Sequence, residues 1–146
     1  SRRNNLIDII KNAINLFKDT DNIQLNIHFD PDHDHMVMVD QKQLLRVFNN
    51  LIQNSIEAIG KEQDGIIDIR VKAEGDEFLV YVIDNGPGIP ADQAEKIFSP
   101  SFTTKTSGMG LGLAMARSII INSGGEITFE SEKGNGAVFL IRLPRA

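Results

Sequence analysis

Asp84 and the glycine-containing turn that follows it could form a small binding site. Residues 78–83 are a continuous apolar run, which is typical of a buried strand, and the turn at residues 85–88 contains Gly86 and Gly88. A carboxylate at the end of such a strand needs a hydrogen-bond donor, because an unpaired buried charge is costly. The two glycines leave room for a flat ring that offers an N–H to Asp84. An ordinary Asp-Asn-Gly turn is the competing interpretation.

Asn50 and Asn54 could bind a cation. They lie on a predicted amphipathic helix over residues 41–60, and their spacing of four residues stacks them beside its apolar arc. Asparagine favours caps and turns over helix interiors. The pair is therefore either solvated surface or a set of neutral oxygen ligands for a hard metal ion, and the local sequence leaves both possibilities open.

A glycine-rich segment, residues 108–112, precedes a helix predicted over residues 114–122. The first N–H groups of a helix have no partner within it, and the helix dipole favours an anion there, so this segment is a candidate phosphate cradle. It is not a P-loop, since no Gly-Lys-Ser or Gly-Lys-Thr follows, and Leu113 stands where a dinucleotide fingerprint has its third glycine. The preceding loop, residues 99–107, is rich in hydroxyl groups, which favours a lid or binding segment.

The other elements follow from apolar periodicity. In chain order we predict a helix over residues 4–18 with no cap ahead of it, strands over 23–29 and 36–39, a hairpin over 67–84, a short helix over 92–98, and a closing hairpin over 127–143. The missing cap suggests that the chain was cut from a longer protein at this end. Alternating aspartate and histidine at residues 30–35 could bind a metal, but a solvated hairpin turn is the favoured interpretation.

Length and composition limit the possible functions. A chain of 146 residues is the size of one domain, and the lack of cysteine excludes disulfides and thiolate zinc sites. A net charge of -5 without a long basic run argues against nucleic acid as the main partner. No signal peptide or apolar stretch of membrane-spanning length occurs, so we expect this segment to be soluble.

Taken in order, these motifs supply a metal ligand, a base acceptor, a lid and a phosphate cradle. The sequence resembles the catalytic ATP-binding domain of sensor histidine kinases, in the superfamily that includes Hsp90, DNA gyrase and MutL. Residues 50–54 resemble the N box and residues 84–88 the first glycine box. Residues 96–105 resemble the F box of nitrogen-regulation kinases, and residues 108–112 the second glycine box.

The resemblance implies an α+β fold, a two-layer α/β sandwich in which a mixed sheet of about five strands packs against three helices. It implies ATP and Mg²⁺ as cofactors, with Asp84 accepting from the adenine amino group and Asn54, helped by Asn50, binding the metal. Asn50, Asn54 and Lys105 would be the catalytic residues. The remaining nucleotide-binding residues would be Gly86, Gly88, Ile89, Lys96, Phe98, Thr103, Thr104, Lys105, Gly108, Gly110, Leu111 and Gly112.

The resemblance also implies how the domain is used. Residues 1–20 would be a helix continuing from a preceding dimerisation domain, and residues 21–146 the catalytic domain. The three histidines lie in a predicted strand and turn, so the phosphoacceptor histidine is expected on a separate dimerisation domain of the same parent protein. A response regulator would act downstream. The domain would be cytoplasmic, even where the parent is membrane-anchored, and would itself contact neither membrane nor nucleic acid.

Three functions are compatible with these motifs: phosphoryl transfer to histidine, ATP hydrolysis that drives a conformational cycle, and nucleotide binding without chemistry. Position 50 favours the first. In the hydrolase relatives a glutamate at this position can take a proton from water, whereas the amide of Asn50 cannot. Only an activity measurement separates the kinase from a module without chemistry.

Overall fold

The elements of the fold are given by a computed structural model that describes residues 1–94, 96–99, 109–131, 134 and 136–146. In chain order they are β1 (Arg2–Asn5), α1 (Leu6–Leu16), β2 (Ile23–His28), β3 (Met36–Val39), α2 (Gln41–Ile59), β4 (Gly65–Glu74), β5 (Glu77–Asp84), α3 (Ala91–Ala94), α4 (Met109–Asn122), β6 (Glu126–Ser131) and β7 (Ala137–Pro144).

Five strands form one mixed sheet in the order β2-β4-β5-β7-β6. Strands β2 and β4 are parallel, and the other neighbouring pairs are antiparallel. Strand β5 is central, and its register places Asp84 between Ile67 of β4 and Ala137 of β7. The apolar run that precedes Asp84 is therefore hydrogen-bonded on both edges, which holds the end of β5 in a defined position.

Helices α1, α2 and α4 supply the layer that packs with the apolar face of this sheet. Alternation along β4 buries Ile67, Ile69 and Val71, while Asp68 and Arg70 between them face the other side. The helices contribute buried side chains to the same core, including Leu6, Ile10, Leu44, Phe48, Leu51, Leu113 and Ile120. The predicted α+β sandwich, with a mixed five-stranded sheet and three helices, is confirmed. No helix in the described part of the chain has both the length and the apolar character to cross a membrane.

The start of the chain differs from the prediction. Asn5 caps α1, and its side-chain oxygen accepts from the backbone N–H groups of Ile7 at 2.9 Å and Asp8 at 3.2 Å. The expectation of an uncapped helix was therefore wrong. The cap is also the last residue of β1. The four side chains of this strand are polar and show no strand periodicity, and the strand is held by its pairing with β3.

The predicted hairpin between residues 23–29 and 36–39 was also wrong. β2 pairs with β4, whereas β3 pairs with β1 in a separate two-stranded sheet. His35, expected in a solvated turn, is only 5% exposed and packs against Phe29 and Phe78 at centroid distances of 5.7 and 5.4 Å. This imidazole is therefore part of the core, and its burial lowers the pKa of His35.

The short helix predicted over residues 92–98 ends early, at Ala94. Beyond it the backbone of Ile97 bonds to Ala94 and that of Ser99 to Lys96, both in the tighter i to i+3 pattern. This tighter path accompanies burial of the Ile97 side chain, which is 4% exposed.

Candidate functional site

The candidate site is built around Asp84. The end of a central strand buries this carboxylate to 5% exposure, and its Oδ1 accepts from the Gly86 N–H at 2.9 Å. Burial raises the pKa of Asp84. The backbone of Gly86, the Ser55 hydroxyl and the backbone of Ala137 oppose that rise in part. Because burial dominates, an incoming N–H donor would stabilise the ionised form.

The turn after Asp84 is tied to the neighbouring strand. Asn85 accepts from the Ile66 N–H through its side chain at 2.8 Å, and its own N–H donates to the Ile66 carbonyl at 3.3 Å. A Cβ at Gly86 would lie 3.1 Å from Asp84 Oδ1 and 3.5 Å from the Ile59 side chain, which explains the glycine. Gly88 has φ +70°, a conformation that side chains disfavour. The turn is therefore compact, with its backbone open to close approach by a flat group.

Asn50 connects α2 to the glycine-rich segment. Its Nδ2 donates to the Gly112 carbonyl at 3.3 Å, and a Cβ at Gly112 would lie 3.4 Å from the Asn50 side chain. Helix α4 begins at Met109, so the predicted start at residue 114 was wrong, and Gly110 and Gly112 lie in its first turn. Glycine is a poor helix former, and here tertiary contact with α2 outweighs that propensity. The first backbone N–H groups of α4 have no partner within the helix and can bind an anion.

The amide oxygens of Asn50 and Asn54 suit Mg²⁺ that is also bound by phosphate. Asn54 lies one turn after Asn50 on α2, and both side chains are half-buried. Because Asn50 uses its nitrogen as a donor, its amide oxygen is the atom available to a cation. Mg²⁺ is commonly bound by one or two protein oxygens together with water and phosphate oxygens, so two amide oxygens beside an anion-binding helix start fit that ion.

Several predicted site residues lie elsewhere or outside the described residues. Ile89 is half-buried and packs on the core at the end of the turn, while the Lys96 side chain is exposed. Phe98 packs against Phe139 at a centroid distance of 6.3 Å, with the Arg117 guanidinium 5.6 Å from its ring. The backbone of Leu111 lies in the first turn of α4. Outside the described residues are Thr103, Thr104, Lys105 and Gly108, and with them most of the predicted lid.

The sequence analysis did not assign four residues to this site: Ser55, Ser131, Gly134 and Gly136. Ser55 is fully buried, and its hydroxyl opposes in part the rise in the pKa of Asp84. Ser131 accepts from the Ile89 N–H at 2.8 Å and donates to the Gly136 carbonyl at 2.8 Å. The glycines at 134 and 136, with φ +91° and +80°, were a sequence signal for an unusual turn. Nothing local in sequence, however, shows that this turn meets a segment 42 residues away.

The chain is similar to several known proteins. Residues 39–146 match the family model described as histidine kinase-, DNA gyrase B-, and HSP90-like ATPase. The sensor histidine kinase ZraS of Salmonella typhimurium is 41% identical over 143 residues, which cover 96% of this chain and 30% of ZraS. Sporulation kinase C of Bacillus subtilis is 36% identical over 143 residues, covering 95% of this chain and 33% of that kinase. The chain therefore spans about a third of the length of these curated relatives.

Among solved structures, the catalytic domain of histidine kinase ThkA in a nucleotide-free form superposes with a TM-score of 0.85 at 37% identity, covering 98% of this chain and 94% of that one. ThkA in complex with the response regulator protein TrrA gives a TM-score of 0.82 at 34% identity, covering 99% of this chain and 41% of that one.

The buried carboxylate leads to a prediction about stability. The pKa of Asp84 is higher in the folded than in the unfolded chain, so the unfolding free energy falls as pH rises from the ordinary aspartate range through the folded pKa. We expect Asp84→Asn to unfold at a higher urea concentration than wild type at pH 7.5, and this difference to shrink as pH is lowered through that window.

Asp68→Asn is the matched control of opposite sign. The Asn26 amide donates to Asp68 at 2.8 Å and lowers the pKa of Asp68, so its charge stabilises the fold above the ordinary aspartate pKa. Asp68→Asn should therefore unfold at a lower urea concentration than wild type at pH 7.5. A loss of stability in Asp84→Asn at that pH would show that burial is not the dominant influence on Asp84.

Proposed function

The chain belongs to the family of histidine kinase-, DNA gyrase B-, and HSP90-like ATPases, and on that premise we propose that it binds Mg-ATP and transfers the γ-phosphate to a histidine on a separate dimerisation domain of its parent protein. The observation that carries the proposal is the set of contacts along α2. Asn50 contacts the first turn of α4, and a Cβ at Gly86 would lie 3.6 Å from the Ala58 carbonyl carbon.

These contacts place the base end and the phosphate end of the proposed nucleotide site along one helix. Asn50 and Ala58 are eight residues apart, which corresponds to about 12 Å of helix axis. A nucleoside triphosphate is a rod of similar length, with its base at one end and its γ-phosphate at the other. The proposed ligand can therefore lie along α2, with its base at Asp84 and its phosphates at the start of α4.

Asp84 would select the base. An ionised carboxylate accepts hydrogen bonds and cannot donate, so it favours the exocyclic amino group of adenine and disfavours the carbonyl that guanine has at that position. Gly86 and Gly88 admit the ring, and Ile89 is the aliphatic side chain at the end of the same turn. Burial excludes water that would otherwise compete for Asp84, which strengthens the hydrogen bond.

The phosphates would bind where α2 and α4 meet. The N–H groups at the start of α4 donate to phosphate oxygens, with Gly110, Leu111 and Gly112 in that turn. Asn54 and Asn50 would hold Mg²⁺, which neutralises phosphate charge when bound. Lys96, Phe98, Thr103, Thr104, Lys105 and Gly108 remain proposed nucleotide-binding residues from the resemblance in sequence, and Lys105 also remains a proposed catalytic residue.

Asn50 also favours transfer over hydrolysis. Its amide nitrogen donates to the Gly112 carbonyl, so the side chain is held at the phosphate end without a group that can take a proton from water. The nucleophile would then be the acceptor histidine, supplied with the dimerisation domain. We also propose a response regulator as the downstream partner and the cytoplasm as the location. ThkA, a histidine kinase of similar structure, has been solved with a response regulator.

Asp84→Asn should weaken ATP binding by about 1.5–3 kcal/mol, or roughly ten- to a hundredfold, because a charged acceptor is replaced by a neutral amide. Isothermal titration with ATP and ADP measures this. Asp68→Asn is the control, since Asp68 lies on the face of the sheet that points away from the helices. Wild-type affinity in a folded Asp84→Asn variant would remove the proposed base contact.

Asn54→Ala should abolish the Mg²⁺ dependence of ATP binding while sparing metal-free nucleotide, because Asn54 is the main proposed metal ligand and Asn50 only assists it. Titrations with and without Mg²⁺ test this, and Gln53→Ala, an exposed neighbour on the same helix, is the control. The same Mg²⁺ dependence in Asn54→Ala and wild type would place the metal on other residues.

The wild-type chain should hydrolyse ATP slowly and should phosphorylate a histidine when supplied with the dimerisation domain of its parent protein. The phosphorylated product should be lost in acid and stable in base. The reaction should depend on concentration, because the two domains are not linked. Asn50→Glu should raise hydrolysis relative to transfer, because a carboxylate can activate water. Rapid hydrolysis by wild type without transfer would instead favour an ATP-driven conformational machine.

A further inference from the structure

The hydroxyl of Ser131 links the end of the base-binding turn to the β6–β7 hairpin. It accepts from the Ile89 N–H at 2.8 Å and donates to the Gly136 carbonyl at 2.8 Å. A single side-chain oxygen thus satisfies one donor and one acceptor from two segments. Without it, a partly buried N–H would lose its partner.

The same hairpin also holds the beginning and the middle of the turn. Gly136 has φ +80°, and a Cβ there would overlap the backbone carbonyl oxygen of Asp84. Ala137 is the cross-strand partner of Asp84, and its backbone opposes in part the rise in the pKa of Asp84. In addition, the Gly134 N–H donates to the carbonyl of Pro87. Contacts from the hairpin therefore reach Asp84, Pro87 and Ile89.

We propose that the described part of this hairpin is a positioning element of the base site and that Ser131 is its positioning residue. The inference deepens the proposed function and rests on it. Ile89 and Asp84 lie at opposite ends of the turn. In the proposed site, Ile89 lies beside the adenine ring and Asp84 accepts from the adenine amino group. Ser131 holds the backbone of Ile89 at a constant distance from Gly136, which packs on Asp84. The ring surface and the acceptor are thereby held apart at the separation that the base requires.

A site formed before the ligand arrives binds more tightly, because less conformational entropy is lost on binding. Ser131 contributes through a hydrogen bond that exists without nucleotide and touches no part of the ligand. Its removal should therefore weaken binding of nucleotides that carry the base, and it should loosen Ile89 even in the free protein. A residue that only stabilised the fold would change neither property selectively.

The test compares Ser131→Ala with Ser131→Thr, which keeps the hydroxyl, and with Ser123→Ala. Ser123 is the matched control because its hydroxyl also donates to a backbone carbonyl, that of Ile119 at 2.9 Å, but at the end of α4. We expect Ser131→Ala to bind ADP about three- to tenfold more weakly than wild type, since one hydrogen bond is lost. Ser131→Thr and Ser123→Ala should bind ADP like wild type.

Amide hydrogen exchange at Ile89 in the nucleotide-free chain gives the second readout. It should be faster in Ser131→Ala than in wild type and close to wild type in Ser131→Thr. If Ser131→Ala does not fold, Ser131→Cys replaces it, since the thiol is similar in shape but a weak hydrogen-bonding group.

The outcomes separate this inference from the proposed function. A wild-type chain that does not bind ADP would overturn both. Binding of ADP by wild type, with equal affinity and equal Ile89 exchange in Ser131→Ala, would overturn the role of Ser131 and leave the proposed function in place. Equal weakening in Ser123→Ala would also overturn it, because the effect would then be general loss of stability.

Discussion

Burial of the Asp84 carboxylate is the constraint on which the rest of the site depends. A charge with 5% exposure is costly unless donors reach it, and the fold provides the backbone N–H of Gly86 at 2.9 Å. Burial still raises the pKa of Asp84. The carboxylate therefore retains capacity for a further donor, at the cost of folding stability. The proposed ligand would use that capacity, and in that proposal the property that weakens the fold is also the one that would recognise the base.

Helix α2 aligns the other parts of the site with this carboxylate. Its buried stripe, which includes Phe48, Leu51 and Ile52, fixes its rotation against the core. With that rotation set, Asn50 reaches the Gly112 carbonyl and the α2 backbone at Ala58 lies close to Gly86. Because the helix has a fixed periodicity, packing of its buried side chains in the core also fixes the spacing of its side chains in the site. We propose that this spacing suits a long ligand with a base and phosphates better than a small one.

The β6–β7 hairpin adds a second support to that of α2, from the far edge of the sheet. Ser131 and Gly136 hold opposite ends of the turn that follows Asp84. The two supports act on different sides, with α2 packed against Gly86 and the hairpin against Asp84 and Ile89. A turn that contains two glycines would otherwise have wide conformational freedom. Held from both sides, it can combine an open backbone with a defined shape.

The sequence by itself determined the elements whose signal is local. Alternation in β4 and the continuous apolar run in β5 predicted the two strands and therefore the position of Asp84 at a strand end. Apolar periodicity predicted α2 with Asn50 and Asn54 on one face. The order of the four motifs was enough to identify the family, since each motif is short and contiguous. Tertiary structure alone decided what depends on distant partners. The pairing of β1 with β3, the burial of His35 and the early start of α4 each arise where long-range contacts outweigh local propensity. The contact of Ser131 was missed for the same reason, because it depends on a backbone N–H 42 residues away that no local pattern reveals.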